Sequence, residues 1–403
     1  MIKETYQIDI QETSCNIAMS QLDSIRKKTI TRTGYRVYQD GLIGVHGQLG
    51  QTRDDPWAMA NDNLANRVAY PFQPVQGVEQ TRLIPAGFDE TLVVAELESV
   101  LADIRSLHPD FNISNKVNMT RKTITLANDQ GTRLVSQDNL VQVALLLKHQ
   151  DSVNIMDTFV SFRSRTWDRQ RLLNELDQMM TAYKTVLPMP DTPVYVVAEA
   201  DMLASKLISE LNGEKVGYKS SLLLKDFGKQ AFNPAFSFYL DWDADEQLDV
   251  PFFDAEGTIM PDGRVDLISR GVIDKAYTDK RTAEQFKMPL TGSAACPYDG
   301  VPSLGARNFN IDRSSKTVRE LLDGRLGVII VIASGGDYTQ EGRFASPVQM
   351  SLLTDGERLL GRLPEFNISG ELYDLFGKGY IGYSQDRFLS GEHALVVDMT
   401  IKA

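Results

Sequence analysis

Hydrophobic and polar residues alternate near the start of the chain, where Tyr6, Ile8 and Ile10 are separated by polar side chains. A period of two is typical of a half-buried β-strand, and the glycines within residues 34–50 divide the following sequence into turns. We therefore predict strands at the start of the chain. A helix over residues 15–25 is an alternative, because apolar residues there also recur at helical spacing. They are Cys15, Met19, Leu22 and Ile25.

Two later segments have the helical period. Residues 89–107 and 168–184 carry apolar side chains at intervals of three and four, which predicts two amphipathic helices. The apolar positions are Val93, Leu97, Val100, Leu101 and Ile104 in the first, and Leu172, Leu173, Leu176, Met179 and Met180 in the second. The sequence Asp55-Pro-Trp predicts the start of a shorter helix, because proline fits the first helical turn. Asn128-Asp-Gln-Gly131 predicts a hairpin turn.

Three prolines within residues 187–193 mark a stiff connection that no helix can cross. We place a domain boundary there, between an N-terminal mixed α and β domain at residues 1–187 and a C-terminal domain at residues 194–403. The second domain is expected to open with a strand at 194–198. A helix at 202–211 follows, with leucines four residues apart, and Gly213 is its expected stop.

Short strands with glycine turns dominate the sequence after Ser220, and brief helices are predicted at residues 317–322 and 369–376. Helices gather in the first half of the chain and strands in the second. This distribution predicts an α+β fold rather than alternating βαβ units, with a C-terminal domain dominated by antiparallel sheet.

The 403 residues are 42% hydrophobic and 24% charged, values that are ordinary for a globular protein. The longest apolar run, residues 326–333, is far shorter than the roughly 20 residues of a membrane-spanning helix, so it predicts a buried strand and no membrane contact. The start of the chain lacks the pattern of a signal peptide, so we expect a cytoplasmic protein. Its two cysteines, Cys15 and Cys296, are then expected to be reduced thiols.

The net charge of −12 argues against direct binding of nucleic acid, because that binding depends on lysine and arginine side chains that neutralise phosphates. The one basic cluster, at residues 26–32, alternates like a solvated strand and is interpreted as a charged sheet edge.

Four pieces of the sequence follow one another in a recognisable order. The longest begins with Pro251-Phe-Phe-Asp-Ala-Glu-Gly257 and ends with Leu290-Thr-Gly-Ser-Ala294. The other three are residues 34–44, 219–230 and 366–372. Together they resemble the TldD/PmbA family, whose members are called modulators of DNA gyrase and are grouped with metallopeptidases. The positions that match the family motif are Asp254, Glu256, Gly257, Thr291 and Gly292.

In the metal-bearing branch of that family, a helix before the long motif carries His-Glu-x-x-x-His. The corresponding segment here, residues 202–211, contains no histidine. The resemblance therefore implies the metal-free, TldE/PmbA-like branch, with no cofactor of its own. It also implies a TldD-like partner chain that would supply zinc and the general base, a homodimer when the chain is alone, and unfolded peptides as substrate.

The positions of the histidines also argue against a local zinc site. His46, His108, His149 and His393 are the only ones, and none lies at helical ligand spacing from another. A local histidine-based zinc site is therefore not expected. A tertiary site that joins His393 to Cys296 and carboxylates stays open, since residues distant in sequence can meet in space.

Two further features of the sequence could carry chemistry. Asp254 and Glu256 could act as paired carboxylates, although we interpret them as a strand end that enters the Gly257 turn. The glycine-rich segment 335–344 is predicted to be a loop after a buried strand, and loops on rigid sheets often carry binding residues. We expect Arg343 and Phe344 in this loop to contact peptide.

The leading hypothesis is thus a metal-free subunit of a metallopeptidase family that helps to bind and process unfolded peptides or proteins. An extended peptide could add a strand to an exposed sheet edge. One alternative is a self-sufficient hydrolase with a tertiary metal site or a nucleophilic Cys296. Another is a non-catalytic homo-oligomeric scaffold.

Overall fold

The computed structural model describes residues 1–51, 54–306, 308–389 and 391–402. Strands account for 43% of the residues and helices for 20%, and antiparallel pairing predominates. The predicted α+β fold with a sheet-rich C-terminal region is confirmed.

The first sheet is built from the N-terminal part of the chain and has the order β3-β2-β1-β5-β6-β4, with β7 also paired to β6. Its strands are β1 (Ile2–Ala18), β2 (Gln21–Gln39), β3 (Leu42–Leu49), β4 (Glu79–Leu83), β5 (Phe111–Asn128), β6 (Arg133–His149) and β7 (Thr158–Ser164). All of its pairs are antiparallel except β4 with β6. The predicted hairpin turn at residues 128–131 joins β5 to β6.

Three helices accompany this sheet: α1 (Pro56–Asp62), α2 (Glu90–Leu107) and α3 (Arg169–Lys184). Each begins after an aspartate, because the carboxylates of Asp55, Asp89 and Asp168 accept hydrogen bonds from N–H groups of the first turn. All five apolar residues predicted for α2 are buried. They pack with the buried side of α3 against β5, β6 and β7.

The second large sheet is built from strands of the later part of the chain, in the order β20-β21-β8-β15-β17-β19-β22, with β16 and β18 also paired to β17. Its strands are β8 (Tyr195–Ala198), β15 (Gly327–Ala333), β16 (Asp337–Tyr338), β17 (Arg343–Thr354), β18 (Leu359–Arg362), β19 (Phe366–Glu371), β20 (Tyr380–Leu389), β21 (Glu392–Val397) and β22 (Thr400–Lys402). The predicted strands at residues 194–198 and 326–333 are therefore β8 and β15, which pair in parallel.

Smaller elements fill the space around this sheet. A four-stranded sheet has the order β11-β10-β9-β14, and β12 pairs with β13. Their bounds are β9 (Phe238–Asp241), β10 (Arg264–Ser269), β11 (Val272–Ile273), β12 (Ala294–Ala295), β13 (Ser303–Leu304) and β14 (Phe309–Ile311). The helices are α4 (Ala200–Glu210), α5 (Gly213–Gly217), α6 (Lys280–Phe286), α7 (Val318–Leu322) and α8 (Leu372–Leu375).

Helix α3 contributes to two cores. Leu172 and Leu176 belong to the core under the first sheet, whereas Ala182 is buried against Val197 and Val318 of the second half. The chain after α3 also pairs with β18, because Leu187 N–H donates to the Arg362 carbonyl at 2.9 Å. The division into residues 1–187 and 194–403 therefore stays a prediction.

The strands predicted at the start of the chain are present, and the alternative helix at residues 15–25 is not: these residues form the β1–β2 hairpin, with Met19 and Ser20 at positive φ in its turn. Two other local predictions were wrong. Helix α4 ends at Glu210, and Gly213 begins α5, because the Asn212 side chain accepts from the N–H groups of that next helix. Residues 366–371 are strand, so the helix predicted at 369–376 is reduced to α8. No helix of the described residues is long and apolar enough to span a bilayer.

Candidate functional site

A polar cleft of about 340 Å³ lies between the edge of the first sheet and the start of α4. Strand β7 lines one wall with residues 161–163, and β20 and β21 line another with Tyr383, Arg387, Glu392 and His393. The floor is apolar and includes Phe238 and Phe309. Because these groups come from elements far apart in sequence, only the tertiary fold brings them together.

Helix α4 faces the cleft with small and apolar side chains. Ala200, Ala204 and Ile208 recur every four residues and therefore lie on one helical face. The other end of the helix is anchored by Glu210, which is buried and paired with Lys206 at 3.0 Å and Lys215 at 2.7 Å. The helix is thus held rigidly against the cleft without presenting an imidazole to it.

His393 is the one histidine of the cleft, and its two ring nitrogens are both engaged. Nδ1 lies 3.2 Å from the Asp386 carbonyl, and Nε2 lies 3.2 Å from the Arg313 guanidinium. Arg313 in turn donates to Glu246 at 2.8 Å. Since a carbonyl can only accept and a guanidinium can only donate, the ring fits as a neutral imidazole protonated on Nδ1. Burial and the charges of Arg387 and Arg313 lower the pKa of His393, which agrees with that form.

The carboxylates of Glu199, Asp201 and Glu392 line the cleft near the N-terminal end of α4. Glu199 is exposed as a residue, yet partial desolvation of its carboxyl, with the negative charges of Glu392 and Asp201, raises its pKa. Desolvation likewise raises the pKa of Glu392. Within the described residues, these carboxylates form no ion pair at contact distance, although the cleft also contains the arginines Arg163 and Arg387.

These residues do not fit a zinc ion. A zinc site needs three or four His, Cys, Asp or Glu donors that converge on one point. No group of three or more such side chains is close enough in the part of the chain that the structure describes. In particular, Cys296 lies against Arg36 at 2.9 Å, whereas His393 contacts Arg313, so the structure does not bring the cysteine and the histidine together.

The motif residues Asp254, Glu256 and Gly257 form a buried turn, not the strand end that we predicted. One carboxylate oxygen of Asp254 accepts from the N–H groups of Glu256 at 2.9 Å and Thr258 at 2.8 Å. Its other oxygen accepts from Ala294 N–H at 3.0 Å. Gly257 has a φ of +76°, a conformation that glycine adopts without strain. Asp254 thereby ties this turn to the Thr291–Ala294 segment.

Glu256 connects the same turn to the N-terminal part of the chain. Its carboxyl accepts from the Tyr70 hydroxyl and from Lys280 N–H at 3.0 Å. Burial, with the charge of Asp254 added, raises the pKa of Glu256 to about 7. A carboxyl group with this pKa is partly neutral under physiological conditions.

The second half of the motif is a buried hydroxyl cluster. Thr291 donates to the Thr278 carbonyl at 3.1 Å and contacts Ser293 Oγ at 2.8 Å, and its own Oγ1 accepts from Thr278 N–H. Gly292 has a φ of +65° and packs against Met260. All five motif positions therefore lie in one region, where the side chains of Asp254, Glu256 and Thr291 form hydrogen bonds with backbone groups.

Arg36 completes this region from β2. Its guanidinium is fully buried and pairs with Glu4 at 3.0 Å, and it also donates to the Ala255 carbonyl at 2.8 Å. Tyr38 donates to the same Glu4 carboxylate at 2.9 Å. Desolvation raises the pKa of Cys296, which keeps the thiol protonated beside Arg36. The network holds the first sheet against the motif turn.

Comparison with known proteins identifies the second half of the chain. Residues 193–398 match the family model described as the PmbA/TldA metallopeptidase C-terminal domain, which is more than half of the chain. The chain belongs to the TldD/PmbA family. No curated protein sequence matches it.

Three solved structures show the TldD/PmbA fold over the whole chain. TldE from Thermococcus kodakarensis has 15% identity and a TM-score of 0.80, with 100% of this chain and 97% of that chain covered. A candidate modulator of DNA gyrase from Thermotoga maritima has 17% identity, a TM-score of 0.77 and coverage of 100% and 96%. A candidate modulator of DNA gyrase from Bacteroides thetaiotaomicron has 13% identity and a TM-score of 0.76, with 100% of this chain and 95% of that chain covered. At these identities the likeness concerns the fold.

The two residues predicted to contact peptide, Arg343 and Phe344, lie outside the cleft, at the beginning of β17. Arg343 is largely exposed and pairs loosely with Glu371 at 3.4 Å. Phe344 is 5% exposed and packs against Tyr338, so its ring is part of the core and not of the predicted loop. Both border a groove of about 800 Å³ that continues along β19 to the edge strand β22. Tyr338 links this groove to α4 by donating to the Leu203 carbonyl at 2.8 Å.

Sequence reasoning missed the charged residues of the cleft. Glu199 follows the buried strand β8 and precedes α4, and an acidic residue at such a junction is a signal that could have been used. Arg163 and Arg387 carried no such signal, because each stands among ordinary polar residues of a strand. Sequence reasoning also could not identify the residues that contact the motif region, because more than 180 residues separate each of them from the motif turn. They are Glu4, Arg36 and Tyr70.

Proposed function

We propose that this chain is the metal-free, TldE/PmbA-like subunit of a two-component peptidase that acts on unfolded peptides. The observation that carries the proposal is the cleft face of α4, where Ala200, Ala204 and Ile208 stand. The family resemblance implies that this helix takes the place of the one that carries His-Glu-x-x-x-His in the metal-bearing branch. A TldD-like partner chain would then supply the zinc and the general base, and this chain would supply peptide contacts.

The groove beside β22 supports a role in peptide capture. Strand β22 ends the second sheet, so its outer edge can pair with an added strand. The groove floor includes Phe344, Leu375 and Met399, and its rim includes the exposed Arg343. Main-chain pairing along an edge requires no particular substrate sequence, which suits unfolded polypeptides.

The test combines the purified chain with a TldD-like homologue from the same organism that carries the histidine motif. We expect casein, as an unfolded substrate, to be cleaved faster by the mixture than by either protein alone. Arg343→Ala should reduce this gain several-fold while leaving co-elution of the two proteins on gel filtration unchanged. Arg133→Ala, which replaces an exposed arginine at the start of β6 in the other sheet, is the matched control and should have no effect.

Two outcomes would contradict the proposal. Chelator-sensitive cleavage by this chain alone would show that it carries its own metal site. A mixture that co-elutes but cleaves no faster than the partner alone would show that the chain does not contribute to peptide processing. Phe344→Ala is unsuitable as a test, because truncating a buried phenylalanine costs about 3–5 kcal/mol of stability.

A further inference from the structure

The basic cluster of the sequence lies on an unpaired edge of the first sheet. Strand β2 pairs with β1 along its whole length, whereas β3 covers the other side of β2 only from Arg32 to Gln39. Within the described chain, no strand pairs with residues 21–30 on that side. Residues 23–29 are all exposed. The first sheet therefore ends in an open edge at residues 21–30 of β2.

The backbone of this edge is oriented to accept another strand. Thr31 marks the limit of the covered part, since its carbonyl accepts from Gly50 N–H at 2.9 Å. The peptide groups of successive residues in a strand point alternately to its two sides. The N–H and C=O groups of Ile25, Lys27 and Thr29 therefore point away from β1, as those of Thr31 do. The one shift in register between β1 and β2 lies nearer to the hairpin turn, outside residues 25–31.

Basic side chains lie on both faces of the edge. Arg26 and Lys28 lie on one face, and Lys27 lies on the other, because side chains alternate along a strand. Lys27 pairs with Glu90 of α2 at 3.0 Å, and Lys28 pairs with Glu12 of β1 at 2.7 Å. Arg26 has no ion pair in the part of the chain that the structure describes. A strand added at this edge would thus meet a cation on each of its faces.

The charge of the edge narrows the class of partner. Natural sheets protect open edges with charged side chains, proline, bulges or short strands. Residues 25–31 contain no proline and keep an unbroken register with β1, so charge is the protection present here. Four of residues 21–32 are basic and one, Asp23, is acidic. Since like charges on neighbouring strands repel and opposite charges attract, this edge rejects basic strands and favours acidic ones. The same residues include no aromatic side chain on which nucleotide bases could stack.

We propose that the open edge of β2 binds an acidic, extended segment of another polypeptide by strand addition. The main chain of the segment pairs with Ile25, Lys27 and Thr29, and its carboxylates lie beside the basic side chains of residues 26–28. Strand β2 lines neither the cleft at α4 nor the groove beside β22. The edge is therefore a docking site for a partner, separate from the surfaces of the proposed peptide processing.

Fluorescence anisotropy of a labelled peptide tests the proposal on the purified chain alone. The probe is a ten-residue peptide with blocked ends, in which glutamate alternates with threonine and valine. We expect it to bind about tenfold more tightly than the same peptide with glutamine in place of glutamate, because each carboxylate gains a cross-strand cation. The corresponding lysine peptide should not bind. Salt at about 1 M should remove most of the difference between the glutamate and glutamine probes, since the charges are exposed.

N-methylation distinguishes strand addition from simple attraction between charges. The N–H groups of an extended peptide point alternately to its two sides, so methylating every second nitrogen removes the donors of one side. One of the two methylated forms of the glutamate probe should lose binding, and the other should retain it. In the protein, Thr29→Pro removes an outward N–H, which an edge strand tolerates, and should abolish binding. Thr29→Val keeps this N–H and is the matched control.

Arg26→Gln combined with Lys27→Gln should reduce the advantage of the glutamate probe over the glutamine probe several-fold, whereas Arg133→Gln, at an exposed position of β6, should leave it unchanged. Equal binding of the two methylated forms would overturn the proposal, and so would equal binding of the glutamate and glutamine probes. Tight binding of a ten-nucleotide oligothymidylate that Thr29→Pro does not alter would also overturn it, because the basic side chains would then recognise phosphates. None of these variants alters α4 or β17, so failure here leaves the two-component peptidase untouched.

Discussion

Glu256 should make the stability of the protein depend on pH. Its carboxyl is 3% exposed, and its neighbours are Tyr70, Lys280 and the carboxyl of Asp254. Burial raises its pKa from the ordinary 4.5 to about 7. Because each pKa unit corresponds to about 1.4 kcal/mol, ionising this group in the folded protein costs about 3 kcal/mol more than in the unfolded chain.

The sign follows from the two pKa values. Below about pH 4.5 Glu256 is protonated in both states, and its contribution to stability is fully present. As the pH rises through 7, the folded protein must ionise a buried group, and that contribution is lost. Replacing Glu256 by glutamine fixes the neutral form, because the amide can donate to the Tyr70 oxygen and accept from Lys280 N–H. The free energy of unfolding of Glu256→Gln minus that of the unchanged protein should therefore increase by about 3 kcal/mol between about pH 4.5 and about pH 8.

Urea unfolding followed by tryptophan fluorescence at several pH values measures this difference. Taking the variant minus the unchanged protein at each pH removes the contribution of titrating groups that do not interact with Glu256. Glu365→Gln, at an exposed position, should give a difference that does not change with pH. A difference for Glu256→Gln that stays constant within about 0.5 kcal/mol between pH 4.5 and 8 would refute the reasoning.

Two further predictions concern stability. Arg36→Met should lower the free energy of unfolding by about 3–5 kcal/mol, because Glu4 is buried and would lose its counter-ion. Denaturant unfolding measures this loss, and adding Glu4→Gln to the same chain should restore part of it. A loss below about 1 kcal/mol would contradict the argument. Gly213→Ala should cost about 1–3 kcal/mol, because its Cβ would lie 2.7 Å from the Tyr277 carbonyl oxygen. Ser205→Ala on the exposed face of α4 is the control, and equal melting temperatures for both variants would show that the backbone relaxes around the added methyl group.

The sequence alone predicted those elements whose signals are local. Helices α2 and α3 were predicted to within a residue, because the apolar stripe of each lies within one segment. The start of α1 and the turn before β6 followed from proline and glycine chemistry in the same way. Residues 15–25 show the limit, because their apolar positions fit both periods. Pairing of β1 with both β2 and β5 decided in favour of strand.

The candidate site was predictable only in part. The family motif at residues 254–257 and 291–292 was visible in the sequence, and so was the absence of histidine from the segment that became α4. The role of Phe344 was misjudged, because a glycine-rich segment predicts an exposed loop and cannot show that one ring turns inward to pack on Tyr338.

What the sequence by itself determined is the α+β class, the long helices and the family, since each is encoded in the order and spacing of neighbouring residues. The tertiary structure alone decided which charges meet. Arg36 reaches the motif turn across 219 residues to contact Ala255, and the cleft joins β7, α4 and β21. The physical reason is that electrostatic and hydrogen-bonding partners depend on distance in space, and a linear pattern carries no information about that distance until the sheets have formed.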